Sequence, residues 1–182
     1  MTRVVAFLRA VNVGGRTVRM DALKDHFERM GFADVETFIA SGNVVFRTSS
    51  QSLASVERKI ERHLQDALGY RVDTFLRTDA EVAAAAEPPF ASAVAAAAAA
   101  INVGFVRDPL DAVAEKVVRG FETEIDGFRV RGREVYWLCR KKQSESTFSG
   151  ARFERALGVQ VTFRGLSTIE RLTAKYRPRR PV

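Results

Sequence analysis

The sequence predicts an α+β protein in which one order of elements, β-α-β-β-α-β, occurs twice, with the two halves packed as one compact unit. Three observations carry this expectation. Strand-like apolar runs and helix-like stripes follow that order on both sides of a Pro- and Ala-rich stretch. The second helix of each half ends on the same step, Leu68-Gly69 and Leu157-Gly158. After the last strand of each half comes an arginine, Arg77 or Arg164, and then the spacing of a capping box, Thr78 with Glu81 and Ser167 with Glu170.

In the first half, residues 4–9 are apolar on both faces, the signature of a strand buried on both sides. A glycine-containing loop occupies 10–19. Met20, Leu23, Phe27 and Met30 then recur at steps of three and four, the stripe of a helix lying on a sheet, closed by Gly31. The β-branched and aromatic runs 35–40 and 44–47 are split by Ser41-Gly42-Asn43, a hairpin turn. Leu53, Val56, Ile60, Leu64 and Leu68 give a second helix, and 71–77 returns as a strand.

The second half repeats the pattern. Residues 101–107 form a strand, and Asp108-Pro109 supplies a cap and a first-turn proline for the helix bearing Leu110, Val113, Val117 and Val118. Residues 121–126 alternate and could add a strand. Phe128 and Val130 alternate with Arg129 and Arg131, Gly132-Arg133 turns the chain, and 134–140 is the next strand. A helix over 149–157 and a strand over 159–164 close the unit. The turn and apolar pattern of 42–46 recurs at 132–136. This order is the split βαβ arrangement of ferredoxin-like folds. The expected boundaries are 1–87 for the first half with its following helix, 88–100 for the connector, 101–176 for the second half with its closing helix, and 177–182 for a basic tail.

Composition narrows the function classes. An apolar fraction of 46% supplies a sizeable core, and no apolar run is long enough for a membrane span or a secretion signal, so a cytoplasmic, membrane-free protein is expected. One cysteine, Cys139, allows no internal disulfide. The net charge of +7 raises nucleic acid as a partner. Four of those charges, Lys175, Arg177, Arg179 and Arg180, sit in a tail without acidic residues, so less than half of the excess belongs to the rest of the chain.

Topology points to one place for chemistry. Strands one and two of a βαββαβ sheet run the same way, so the loop after strand one meets the turn between strands two and three. That brings Arg9, Asn12, Gly14, Gly15 and Arg16 beside Ser41, Gly42 and Asn43. Glycine backbone can approach a ligand closely, and flanking arginine and asparagine donors suit phosphate or carboxylate. The same glycines also serve simply to shape two turns, with the asparagines holding positive-φ backbone. The spacing of a phosphate-binding P-loop is absent.

Elsewhere the catalytic vocabulary is thin. His26 and His63 lie beside helix stripes and read as packing-edge residues, with no metal expected. Cys139 shares parity with Val135 and Trp137 and reads as a small core residue. Ser41 lacks a visible base. Glu122, Glu124 and Asp126 read as a wet face. For RNA stacking, Phe46 is the only aromatic on the first half's third strand, and Tyr136 and Trp137 point to opposite faces. The basic segment from Arg129 through Arg131, Arg133, Arg140, Lys141 and Lys142 keeps nucleic acid as an alternative.

The run Leu8-Arg9-Ala10-Val11-Asn12-Val13-Gly14-Gly15, with Met20, Leu23 and then 37–46 around Ser41-Gly42-Asn43, resembles the uncharacterised bacterial domain-of-unknown-function (DUF) family 1697. The similarity continues through Pro89-Phe90 to Thr162-Phe163-Arg164 and Thr168. It implies a tandem of ferredoxin-like halves and no established activity or cofactor. Its signature falls on Arg9, Asn12, Gly14, Gly15, Ser41, Gly42 and Asn43. Ala10 stands where glycine is common in that family and Arg16 where lysine is. Arg164-Gly165-Leu166 replaces Arg-Asn-Trp, and Ser146-Thr147 replaces Ser-Lys. The leading expectation is a small anionic ligand at the first-half edge, as a binder or as an enzyme of unknown reaction. The alternative is a nucleic-acid module using the second-half hairpin and tail.

Overall fold

A computed structural model describes residues 1–12, 14, 15, 17–40 and 42–176. They divide into two compact units, residues 1–82 with Tyr176, and residues 83–175. Each unit contains a four-stranded antiparallel sheet with helices, so the chain is an α+β protein in two similar ferredoxin-like halves.

The first unit runs β1 (Thr2–Leu8), α1 (Met20–Arg29), β2 (Ala33–Phe38), β3 (Asn43–Thr48), α2 (Leu53–Leu68) and β4 (Thr74–Thr78). Its sheet order is β2-β3-β1-β4, with Val5 opposite Val45 on one side of β1 and Arg77 on the other. Leu23 and Phe27 of α1 and Val56, Ile60 and Leu64 of α2 bury their stripes against Val4, Ala6 and Phe46. Each such side chain contributes roughly 1.5–3 kcal/mol. Ser52 caps α2 by accepting from Ser55 N at 3.2 Å, and Gly69 ends it at φ 77°, a left-handed cap that only glycine adopts without strain. Strand β4 lies at the sheet edge, and α2 covers it: Glu57 Oε1 accepts from Leu76 N at 2.9 Å and Glu61 Oε1 from Thr74 N at 3.0 Å. These carboxylates occupy N–H groups that would otherwise invite another strand.

Helix α3 (Asp79–Ala85) opens with the expected capping box, Glu81 N donating to Thr78 Oγ1 and Thr78 N to Glu81 Oε2. The alanine run is helical only over α4 (Ser92–Ala96), and by Ala100 it has joined a strand.

The second unit runs β5 (Ala100–Phe105), α5 (Ala112–Arg119), β6 (Asp126–Arg131), β7 (Glu134–Cys139), α6 (Gly150–Leu157), β8 (Thr162–Gly165) and α7 (Leu166–Lys175), with sheet order β6-β7-β5-β8. The edge device recurs, Val161 N donating to Glu154 Oε1 at 2.8 Å. Three expectations need correction. Helix α5 is capped by Asp111, whose Oδ1 accepts from Ala114 N at 2.8 Å, and not by Asp108. Leu110 N is bonded to Gly132 O, which holds the segment before Asp111 against the hairpin turn instead of in a helix. Residues 121–125 form no strand, because Thr123 folds back on Asp126 in a turn. Finally, Ser167 and Glu170 form no capping box, because Ser167 lies one residue inside a helix that follows β8 without a break.

Candidate functional site

The chain ends of the first sheet do bring the two loops together. Leu8 N donates to Gly42 O at 2.9 Å, and a Cβ on Gly42 would stand 3.2 Å from that of Val11. Asn12, itself at φ 60°, ties the loops: its Oδ1 accepts from Val18 N at 2.6 Å and its Nδ2 donates to Ala40 O at 3.2 Å. Asn43 is fully buried, with Nδ2 donating to Phe38 O at 3.2 Å. Both asparagines therefore shape backbone. Gly14 and Gly15 are exposed, left-handed at φ 63° and 81°, with open space beside each. Arg16 and Ser41 lie outside the described residues.

Electrostatics centre on Asp73, a residue not singled out from the sequence. It is buried just before β4, its Oδ1 accepting from Arg71 Nε at 2.7 Å and its Oδ2 paired with Arg9 Nη1 at 3.4 Å. Arg9 N also donates to Asp73 O at 2.9 Å, so the loop is pinned through backbone and side chain. Antiparallel pairing of Leu8 with Thr74 is what juxtaposes residues 64 apart in sequence.

Backbone conformation separates this edge from its counterpart. Ala10, Asn12, Gly14, Gly15, Ile39 and Gly42 all have positive φ. Ile39, at φ 51° and exposed, is a β-branched residue in a region such side chains avoid. In the second unit the equivalent connections, 106–111 and 132–133, contain one left-handed residue, Gly132. There the junction is closed by Val106 N donating to Arg133 O and Leu110 N to Gly132 O, with the Arg133 guanidinium donating to Arg107 O. The fold thus closes this end with one left-handed residue, and the first half uses six among its described residues.

The remaining candidates fall inside or onto local partners. His26 Nδ1 and His63 Nε2 stand 3.2 Å apart, a pairing of α1 with α2 that no spacing in the sequence reveals. Burial, then His63, then Arg29, holds the His26 imidazole below its ordinary range. Cys139 is buried as expected, and burial followed by the Asp126 carboxylate pushes its thiol up to about 11. Asp126 corrects the wet-face reading: it is 2% exposed and accepts from Trp137 Nε1 and Ser146 Oγ, both at 2.8 Å. Glu122 does face solvent, accepting from Arg129 Nη1 at 2.8 Å.

In the basic hairpin Arg131 donates to Ala84 O and Tyr136 OH, Arg133 to Arg107 O, and Arg140 to Glu124 O. Phe46 and Tyr136 are fully buried, and Trp137 packs 4.5 Å from Phe148, so none of the strand aromatics presents a free stacking face. Arg177, Arg179 and Arg180 of the tail lie outside the described residues. Among the described residues no helix is long and apolar enough to cross a membrane. No group of three or more His, Cys, Asp or Glu residues among them could hold a metal.

No curated protein matches the chain. It is similar to a solved structure of a conserved bacterial protein from Streptococcus pneumoniae, with 22% identity, a TM-score of 0.77, and coverage of 98% of this chain and 99% of that one. The likeness shows the fold. The family model described as protein of unknown function (DUF1697) matches residues 1–136, which include both loops and run into β7 of the second half. This chain belongs to that family.

Proposed function

We propose that the protein binds a small anionic ligand, bearing phosphate or carboxylate, at the end of the first sheet formed by the 9–16 loop and the 39–43 turn. The observation that carries this reading is the excess of left-handed backbone there over the equivalent junction of the second unit. Strain beyond what a fold needs persists where it serves a site. The donors are the main-chain N–H groups of Gly14 and Gly15, together with the guanidinium of Arg71, whose side chain is 65% exposed while its Nε is held by Asp73. Successive N–H groups in turn conformations are a common setting for anions. Arg9 and Asp73 act in support, fixing the loop rather than meeting the ligand.

Thermal-shift screening of nucleotides and of phosphorylated and carboxylated metabolites tests the reading. A stabilising ligand is expected whose shift disappears in Arg71→Gln and in Gly14→Val, while both variants keep the native circular dichroism spectrum. Shifts that survive both substitutions would sink this assignment.

A further inference from the structure

At the other end of the same unit a cavity of about 460 Å³ opens between α1 and α2. Arg29 of the last α1 turn faces Arg58, Lys59, Arg62 and His63 across it, and Asp66 is the single carboxylate among the described residues of its lining. Arg58, Arg62 and Asp66 follow one another at four-residue steps along α2. Among the described residues no carboxylate lies within ion-pair distance of Arg29, Arg58 or Arg62. Arg58 and Arg62 are one helical turn apart, where like charges repel. The glutamates that could have answered them, Glu57 and Glu61, are turned to the other side of α2 and bonded to the edge of β4. Lys59 is held in place, donating to Met30 O at 2.6 Å. A concave surface with three arginines lacking carboxylate partners suits an anion of several charges.

Size and surroundings select the class of anion. A second cavity of about 330 Å³ shares Met30, Ser55 and Lys59 with the first and continues past Phe32, Val56 and the hydroxyls of Thr48, Ser49 and Ser50. Together they offer a basic pocket for a chain of phosphates and a less polar one for an organic group. Of the exposed apolar side chains that could enter a bilayer, Met1 stands alone at the second cavity, and Ile39, Val94 and Val113 line neither. Among the described residues the one ring in the lining of the basic cavity is the half-buried His63, and no exposed aromatic stands beside the arginines to stack bases of a nucleic acid.

We propose that this cleft binds the phosphate chain of a small polyphosphorylated ligand. The site lies where β1 begins and β3 ends, at the opposite end of the sheet from the 9–16 loop, and does not depend on that loop.

Titration calorimetry on the full chain at low salt, with sodium triphosphate and with ATP, tests it. Two charge-matched double variants are compared: Arg58→Gln with Arg62→Gln in the cleft, and Lys116→Gln with Arg119→Gln on exposed positions of α5. Triphosphate should bind one site, with affinity lowered about tenfold or more by the cleft pair and unchanged by the α5 pair. ATP should compete for that site. Tighter binding of ATP assigns the organic group to the Phe32 side, and equal binding assigns the ligand to the phosphate chain alone. Absence of triphosphate binding overturns the proposal. So does an equal loss in both double variants, which would reflect net charge, or binding only of duplex DNA or anionic vesicles. Loss in Arg71→Gln with retention in the cleft pair would also overturn it, moving the ligand to the 9–16 loop.

Discussion

Asp126 and Cys139 show how one buried carboxylate organises a neighbourhood. Trp137 Nε1, Ser146 Oγ and Thr123 Oγ1 all donate to Asp126, and Cys139 Sγ lies 3.8 Å from its Oδ1. A thiol there cannot ionise cheaply: desolvation comes first and the adjacent negative charge adds to it, raising the thiol from 9.0 to about 11. The folded state therefore disfavours the thiolate. The stability this thiol contributes is complete below the unfolded value and is lost as pH climbs from about 9 to about 11. Urea unfolding across that interval should show wild type losing stability faster than Cys139→Ala. At pH 8 a thiol reagent should label the protein only after denaturation. Rapid labelling of the native chain would contradict the buried, proton-retaining thiol. At the same scale, Ala10 holds φ 60°, a left-handed conformation that glycine would adopt at lower cost.

Helix boundaries were the least legible feature at the scale of elements, and α5 shows why. Asp108-Pro109 has the chemistry of a helix start, yet Asp111 supplies the cap, because Leu110 is tied to the turn at Gly132. The sequence pointed to Asp108, and a contact 22 residues away moved the start to Asp111. Asp111→Ala should cost about 1 kcal/mol, the usual worth of a cap. Asp108→Ala, at an exposed loop position, should change stability by only a few tenths of that. Equal effects in chemical denaturation would return the helix start to Asp108. By contrast the C-terminal ends of α2 and α6 were readable, since left-handed Gly69 and Gly158 end them where the sequence places the stops. The glutamates facing β4 and β8 were not readable, because only the assembled sheet defines which N–H groups are left over at its edge.

For the whole molecule, the last described residue completes the first unit. Tyr176 is 7% exposed, donates to Glu36 Oε2 of β2 at 2.8 Å, stacks edge-on to Phe38 at 6.3 Å and lies under Arg3. A chain that has made only its first half lacks this contact. Tyr176→Ala should cost about 3 kcal/mol and lower the melting temperature by roughly 5–10 °C. Tyr176→Phe, which removes only the hydrogen bond, should cost about 1 kcal/mol. A fragment ending near Phe90 should melt below the full chain. An unchanged midpoint for the fragment would show that Tyr176 adds nothing to the first unit.

By itself the sequence determined the element order, the duplication and the meeting of the 9–16 loop with the 41–43 turn. Each follows from short-range periodicity and from the fact that antiparallel neighbours must return to the same edge. Tertiary structure decided what those residues are used for. Asn12 and Asn43 are spent on backbone, Asp73 is drawn between Arg9 and Arg71, and His26 meets His63 from another helix. The same holds for the arginines of α1 and α2, whose lack of acidic partners arises only when α2 turns its glutamates toward β4. Side-chain pairing across 13 to 64 residues depends on register and helix rotation, which no local pattern encodes.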